Sequence, residues 1–315
     1  MNSVRLTRFL AVFEQRSFGR AAVELHVTQP ALSKSIQLLE EELRVKLFER
    51  TASGVVPTIY GEALSLHAKA IEAEMKNAER EIATMSGALK GEVTIGVTPS
   101  VAADLIPRAF IKLRADWPGI ALNVVEGLMD HHIPALRRGE LDLIVGGWTR
   151  GSHSDLTVEG LMRDRVLVIA APHHPLAGQR GVSLAALAEH PWVMPPHSQF
   201  WVAAFESVFV AAGLAAPEAA GVANSPGFLI EAVRTGAYLT VLPEALVLRQ
   251  IEAGAVVVLD VAALDIGFDV TVTYRTRVVH LSAFNIFLRL LKELCGWRFS
   301  RDGSVLADPF ARAAE

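Results

Sequence analysis

Little in this chain points to an exported or membrane-bound protein. One cysteine, Cys295, stands among 315 residues. No intrachain disulfide framework is therefore available, and a reducing compartment suits the chain. No charge-free apolar run reaches the roughly 18 residues of a helical membrane span. The N-terminal stretch Phe9 to Phe13 stops at Glu14 and is too short for a secretory signal core. G-x-S-x-G, P-loop and H-E-x-x-H patterns are missing. The pairs His131-His132 and His173-His174 have no Cys, Asp or Glu at a spacing that completes a metal site. The expectation is a cytoplasmic protein with no catalytic residues, cofactor or metal, and no membrane association. With 51% hydrophobic and 20% charged residues, the chain can bury a sizeable core in about two domains.

The net charge of −4 hides an asymmetry. Residues 1–58 carry eight Lys/Arg against six Asp/Glu, and residues 91–315 carry 18 against 23. A small basic head on an acidic body is a weak sign of nucleic-acid binding. The head has three helical patterns. Leu6, Phe9, Leu10 and Phe13 share one face, as do Phe18, Ala21, Ala22 and Leu25. Leu32, Ile36, Leu39 and Leu43 form a third stripe. Ser17 and Thr28 are candidate N-caps, Pro30 suits a first turn, and the break at His26-Val27 is tight. This reads as a helix-turn-helix. Opposite the third stripe lie Pro30, Lys34 and Gln37, with Ser33 on the flank and Gln29 at the start. These residues suit entry into a major groove. Glu40 to Glu42 would repel phosphates at the far end. Phe48 to Thr58 then reads as a β-hairpin wing, with Arg50 at its base within reach of a phosphate.

The pieces Ser17-Phe18, Ala21-Ala22, Leu25, Val27 to Ser33, Ile36, Leu39-Glu40, Leu43, Leu47-Phe48, Arg50, Thr58 and Gly61 together resemble the winged helix-turn-helix of LysR-type transcriptional regulators. Two departures stand out: Arg44 where the family has Gly, and Pro57 where it has Leu. Pro57 predicts an irregular edge in the second wing strand. From Leu64 to Leu89 apolar residues alternate at spacings of 4 and 3, a heptad seam that predicts a paired helix. The resemblance points the same way, to a linker helix that pairs two chains.

Beyond Gly91 the pattern becomes β-α-β-α-β, which predicts a parallel sheet. Further strands are expected at Val166–Ala170, Trp192-Val193, Tyr238–Leu242, Val256–Leu259 and Val270–Tyr274, with a last helix at Leu281–Leu294. Two α/β lobes account for this, and the final strand and helix return to the first. The arrangement resembles the periplasmic-binding-protein-like effector domain of the same regulators. The fold class is therefore α/β behind a winged helix-turn-helix. The expected domains are 1–58 for DNA binding, 59–90 for the linker and 91–295 for the effector body, with 296–315 a loosely held tail. In the body, lobe I is about 91–162 and 266–295, and lobe II about 163–265.

Ligands in such bodies bind beyond the carboxyl ends of strands. Four segments qualify: Thr98-Pro99-Ser100, Gly147-Trp148, His197-Ser198-Gln199 and Asn224-Ser225. The double proline Pro195-Pro196 resembles the subset of the family that senses sugars or aromatic acids. That subset often has an Arg shortly after it, where this chain has Phe200-Trp201-Val202, so a less charged, aromatic pocket is expected. The DNA contacts expected are Ser17, Arg20, Thr28, Gln29, Pro30, Ser33, Lys34, Gln37, Arg50 and Thr58. The resemblance implies double-stranded promoter DNA with a partly palindromic site, a small-molecule effector, a homodimer or homotetramer, and RNA polymerase as partners. A solute-binding protein of transport is the competing reading of the body, and the DNA-reading head opposes it.

Overall fold

The computed structural model describes residues 2–51, 54–85, 91–147, 154–276, 282–296, 298–299 and 305–307. They fall into two compact units. The N-terminal unit holds α1 (Ser3–Gln15), α2 (Phe18–Glu24), α3 (Gln29–Leu43), β1 (Phe48–Thr51), β2 (Gly54–Pro57) and α4 (Ile59–Met85). Asn2, Ser17 and Thr28 cap the first three helices through their side chains. Leu6, Phe9, Ala21, Leu32, Ile36 and Leu39 meet in one core, which is why the three apolar stripes were spaced as they were. Leu43, counted in the third stripe, is 36% exposed; the stripe outlasts the core by one turn. Three non-glycine residues here have positive φ: Arg16, His26 and Arg44. His26 makes the turn between α2 and α3. Arg44 ends α3 in the left-handed conformation, its N–H bonded to the Glu40 carbonyl, in the place where a glycine would be unstrained.

The wing is more regular than Pro57 suggested. Phe48, Glu49, Arg50 and Thr51 pair in unbroken antiparallel register with Pro57, Val56, Val55 and Gly54. The reason is alternation. Val55 turns its N–H away from β1 to the Arg16 carbonyl at 3.2 Å, and Pro57, two residues on, occupies the same kind of position, where no N–H is needed.

Glu40 also differs from expectation. It is 9% exposed, and it faces inward instead of repelling phosphates. Its carboxylate accepts from the Leu47 N–H at 2.9 Å, the Phe48 N–H at 3.4 Å and the Lys46 ammonium at 2.7 Å.

The heptad seam of α4 is split in use. Leu64 packs on the N-terminal core and Ala68 is fully buried in it, so the chain's own helices cover the start. Ile71, Met75 and Ile82 are 40%, 45% and 68% exposed. The end of the seam, at Leu89, lies outside the described residues.

The second unit opens with β3 (Gly91–Val97), α5 (Pro99–Ala103), α6 (Leu105–Asp116), β4 (Ile120–Glu126), α7 (Met129–Arg137) and β5 (Leu143–Gly147). There follow β6 (Leu156–Ala170), α8 (Leu184–Ala188), β7 (Trp192–Met194), α9 (Phe200–Ala211), β8 (Ala219–Val222) and α10 (Pro226–Arg234). The remainder is β9 (Thr240–Pro243), α11 (Glu244–Glu252), β10 (Val257–Val258), β11 (Ile266–Arg275), α12 (Ser282–Leu294), β12 (Arg298–Phe299) and β13 (Val305–Ala307). Pairing is parallel where β-α-β units predicted it, β3 with β4 and β5, and again between β7 and β8. The later strands β6 and β11, whose direction the pattern did not give, depart from that parallel arrangement. These two long strands pair antiparallel with each other, β11 also pairs β5, and β6 also pairs β9 and β10. Their register shifts between Val270 and Thr271. Sequence periodicity sees a strand's faces and not its direction, and it missed the first ten residues of β6, where exposed and buried positions alternate with charges. One apolar core, including Trp192, Phe205, Phe209 and Phe287, runs through this unit. Two short strands, β12 and β13, pair inside the segment read as a loose tail. Among the described residues no helix is long and apolar enough to cross a membrane.

Replacing Glu40 by Ala leaves two buried N–H groups unpartnered, a cost of about 1–3 kcal/mol each. Amide hydrogen exchange at Leu47 and Phe48 is expected to accelerate strongly in Glu40→Ala and only weakly in Glu40→Gln, which keeps an acceptor. Unchanged exchange in the alanine variant would remove Glu40 from the wing's support.

Candidate nucleic-acid interface and effector cleft

In the N-terminal unit, α3 lines a groove with about 1060 Å³ of empty space, its open side included. Pro30, Ser33, Lys34 and Gln37 line it from α3 together with the stripe residue Ile36 and with Glu40, and Phe18, Lys46 and Phe48 complete it. Pro30, Lys34 and Gln37 are exposed and Ser33 is half-buried, as the helical angles require. Gln29 is exposed too, further out than its helical angle suggested. Lys34 has no ion pair among the described contacts, whereas Lys46 is paired to Glu40. Sequence reasoning missed Lys46, because only the inward turn of Glu40 brings it to the groove.

Other expected contacts are engaged within the unit. Ser17 Oγ accepts from the Arg20 N–H at 3.3 Å, and Thr28 Oγ1 accepts from the Ala31 N–H at 3.4 Å. The Arg20 guanidinium, exposed, donates to the Gln15 carbonyl. Thr58 donates to the Lys46 carbonyl at 2.6 Å and accepts from the Gly61 N–H at 3.2 Å. Arg50 lies in β1 by its backbone, and its side chain is outside the described residues.

In the second unit, the ends of β3, β5, β7, β8 and β9 converge on a cleft with about 490 Å³ of empty space, its open mouth included. Of the expected effector residues, Thr98, Pro99, Ser100, Gly147, Gln199 and Asn224 line it. Thr98 and Ser100 are buried, their hydroxyls 3.4 Å apart. The lining does not include His197, Ser198 or Ser225. His197 is an exposed partner of Glu206 at 3.4 Å, and Ser225 caps α10 by accepting from the Phe228 N–H at 3.3 Å. Trp148 lies outside the described residues.

The walls are Pro195, Pro196, Phe200, Leu229, Leu242 and Phe268, among others. Phe200 and Phe268 meet edge to face with centroids 5.3 Å apart. Both crowd Gly147, where an added Cβ would lie 2.9 Å from Phe200 Cε1 and 3.0 Å from Phe268 Cε2. Phe268 was invisible from sequence. It arrives on β11, some 120 residues after Gly147, and only the antiparallel crossing strand brings it there. Beside it in register, Asp164 is buried, and burial raises its carboxyl above the usual range.

The histidine pairs serve the fold. His132 is buried with Nε2 3.1 Å from the Val97 carbonyl, and burial lowers its pKa. His131 is exposed beside Asp130. His174 is buried, and its Nδ1 accepts from the Leu176 N–H at 3.2 Å. Burial pushes the Cys295 thiol up to about 11, so it stays protonated near neutral pH and is a poor nucleophile.

The N-terminal unit thus presents polar residues of α3 along an open groove, and the C-terminal unit holds a cleft of the size of a small molecule. Residues 4–62 match the bacterial regulatory helix-turn-helix proteins of the LysR family, and residues 86–296 match the LysR substrate binding domain. The chain belongs to the LysR family. It is 30% identical to the RuBisCO operon transcriptional regulator of Allochromatium vinosum over 257 residues, 82% of this chain and 84% of that one. Its fold is similar to that of a full-length OxyR variant from Pseudomonas aeruginosa, with TM-score 0.68 and 22% identity over 94% of each chain. It is also similar to full-length CbnR complexed with its target DNA, with TM-score 0.54 and 18% identity over 94% of this chain and 100% of the other. This LysR-type protein is a DNA-binding transcriptional regulator with an effector-binding domain, and not an enzyme.

Gly147→Ala in this regulator is expected to force the two phenyl rings apart, at about 1–3 kcal/mol. Thermal unfolding of the full chain should show a lowered transition for the C-terminal unit. A transition at the wild-type temperature would mean the rings yield without cost.

Proposed function

We propose that this regulator reads promoter DNA with the exposed side of α3 and alters those contacts when a small molecule occupies the cleft of its C-terminal unit. The observation that carries the reading is the grouping of Pro30, Ser33, Lys34 and Gln37 along one groove, while Leu32 and Leu39 of the helix's apolar stripe face the core. Residues 1–58 serve as the DNA-binding domain, 59–90 as the linker and 91–295 as the effector body, with the tail beyond. The double-stranded site is partly palindromic, and the protein works in the cytoplasm, where promoter and RNA polymerase are found.

The effector is a small molecule with a ring-shaped or apolar body and polar oxygen groups. Phe200, Phe268 and Leu229 offer the apolar surface, and Thr98, Ser100, Gln199 and Asn224 offer uncharged hydrogen-bonding groups. That chemistry suits the members that sense sugars or aromatic acids. Two copies pair through α4, as a homodimer or within a homotetramer. Ile71, Met75 and Ile82, at heptad spacing and exposed in one chain, support this.

Ile71→Glu with Ile82→Glu is expected to reduce the assembly seen by ultracentrifugation, because an apolar seam does not accept unpaired charge. Unchanged mass would show that α4 is not the pairing element. Lys34→Ala tests the reading helix. A base contact is worth about 1–3 kcal/mol and its loss relaxes preference at one base pair; a lost phosphate contact weakens all duplexes and lowers the salt slope by about one. The first is expected, since Lys34 stands centrally on the exposed side. Binding to operator and scrambled duplexes across a salt series decides. Wild-type affinity throughout would remove α3 from the interface.

A further inference from the structure

Gln37 lies one turn beyond Ser33 on the groove-lining side of α3, and its amide is held in place. Nε2 donates to Glu41 Oε1 at 2.9 Å. An ionised carboxylate only accepts hydrogen bonds, so the NH₂ end of the amide must face Glu41, and the placement of N and O follows from chemistry. Of the three consecutive glutamates, Glu40 is turned into the base of the wing and Glu42 bonds Arg5 at 2.8 Å. Glu41 is the one that holds Gln37.

A primary amide has two N–H groups and one carbonyl oxygen. With one N–H tied to Glu41, the other N–H and Oε1 remain as a donor and acceptor side by side. Adenine presents the complement in the major groove, the N7 acceptor beside the N6 amino donor. Guanine presents two acceptors, N7 and O6, and would set O6 against Oε1. A glutamine without such a tether can turn about its last torsion and offer its NH₂ to guanine instead. We infer that Glu41 is a positioning residue that fixes Gln37 as a reader of adenine. The inference rests on α3 being the helix that enters the groove.

The test uses the full-length protein and a duplex it selects from randomised sequence. Each base pair of one half-site is then changed in turn, and competition binding is measured at fixed salt for wild type, Gln37→Ala, Glu41→Ala and Glu41→Gln. Wild type should prefer A·T over G·C at one base pair by about tenfold. Gln37→Ala and Glu41→Ala should both lose most of that preference at the same base pair and keep the preferences elsewhere. Glu41→Gln, whose side-chain oxygen can still accept from Gln37, should retain it. If Glu41→Ala shifts affinity for all duplexes alike and leaves the preference intact, Glu41 acts through its charge alone and the inference fails, while the contact of Gln37 stands. The inference also fails if Glu41→Gln relaxes the preference as far as Glu41→Ala, or if the relaxed base pair is not A·T. If Gln37→Ala changes no base preference, the placement of this side of α3 in the groove fails with it.

Discussion

The C-terminal unit depends on the antiparallel pairing of β6 and β11. Fifteen residues of one strand and ten of the other run side by side through the sheet. Between them they hydrogen-bond to strands from both halves of the unit, β11 to β5 and β6 to β9 and β10. The shift in register between Val270 and Thr271 comes where the neighbours change, as expected of a bulge that bends and twists a strand. The cleft lies close by. Gly147 ends β5, Phe268 lies on β11 and Pro243 ends β9, so the strands that unite the halves also bring the cleft's walls together.

The N-terminal unit is organised around burial of a single helix side. Once Leu32, Ile36 and Leu39 face the core, Lys34 and Gln37 have no choice but to face away. The wing follows from Glu40, which stands at the end of that stripe and takes the N–H groups of Leu47 and Phe48 where the chain leaves the helix. Exposed face, buried face and wing anchor are thus three aspects of one helix.

Legibility in the sequence followed the range of the interaction. Helix caps, the turn at His26 and the reading side of α3 depend on residues within one or two turns, and periodicity shows them. The strand ends at Thr98, Gly147 and Asn224 could be placed beside a cleft because β-α-β units have a fixed handedness and the turn chemistry is local. The antiparallel direction of β6 and β11 was not legible, and neither was Phe268, since both depend on pairing over more than a hundred residues. Glu40 was misread for a related reason: its charge is plain in the sequence, but the two N–H groups that draw it inward become neighbours only when the wing folds. His197 and Ser225 were read as ligand groups on their residue types, and each has a nearer partner in Glu206 and the α10 amides.

Arg16, His26 and Arg44 keep left-handed backbone without being glycine, at a cost of about 1–2 kcal/mol each. All three lie in the head that binds DNA. Mass action can offset such strain: a ligand present at a hundred times its Kd stabilises the state that binds it by about 2.7 kcal/mol. Operator DNA is therefore also a folding partner of the head, and the folded population of that head rises when the promoter is occupied. A chain released from its site gives up that stabilisation together with its position on the DNA.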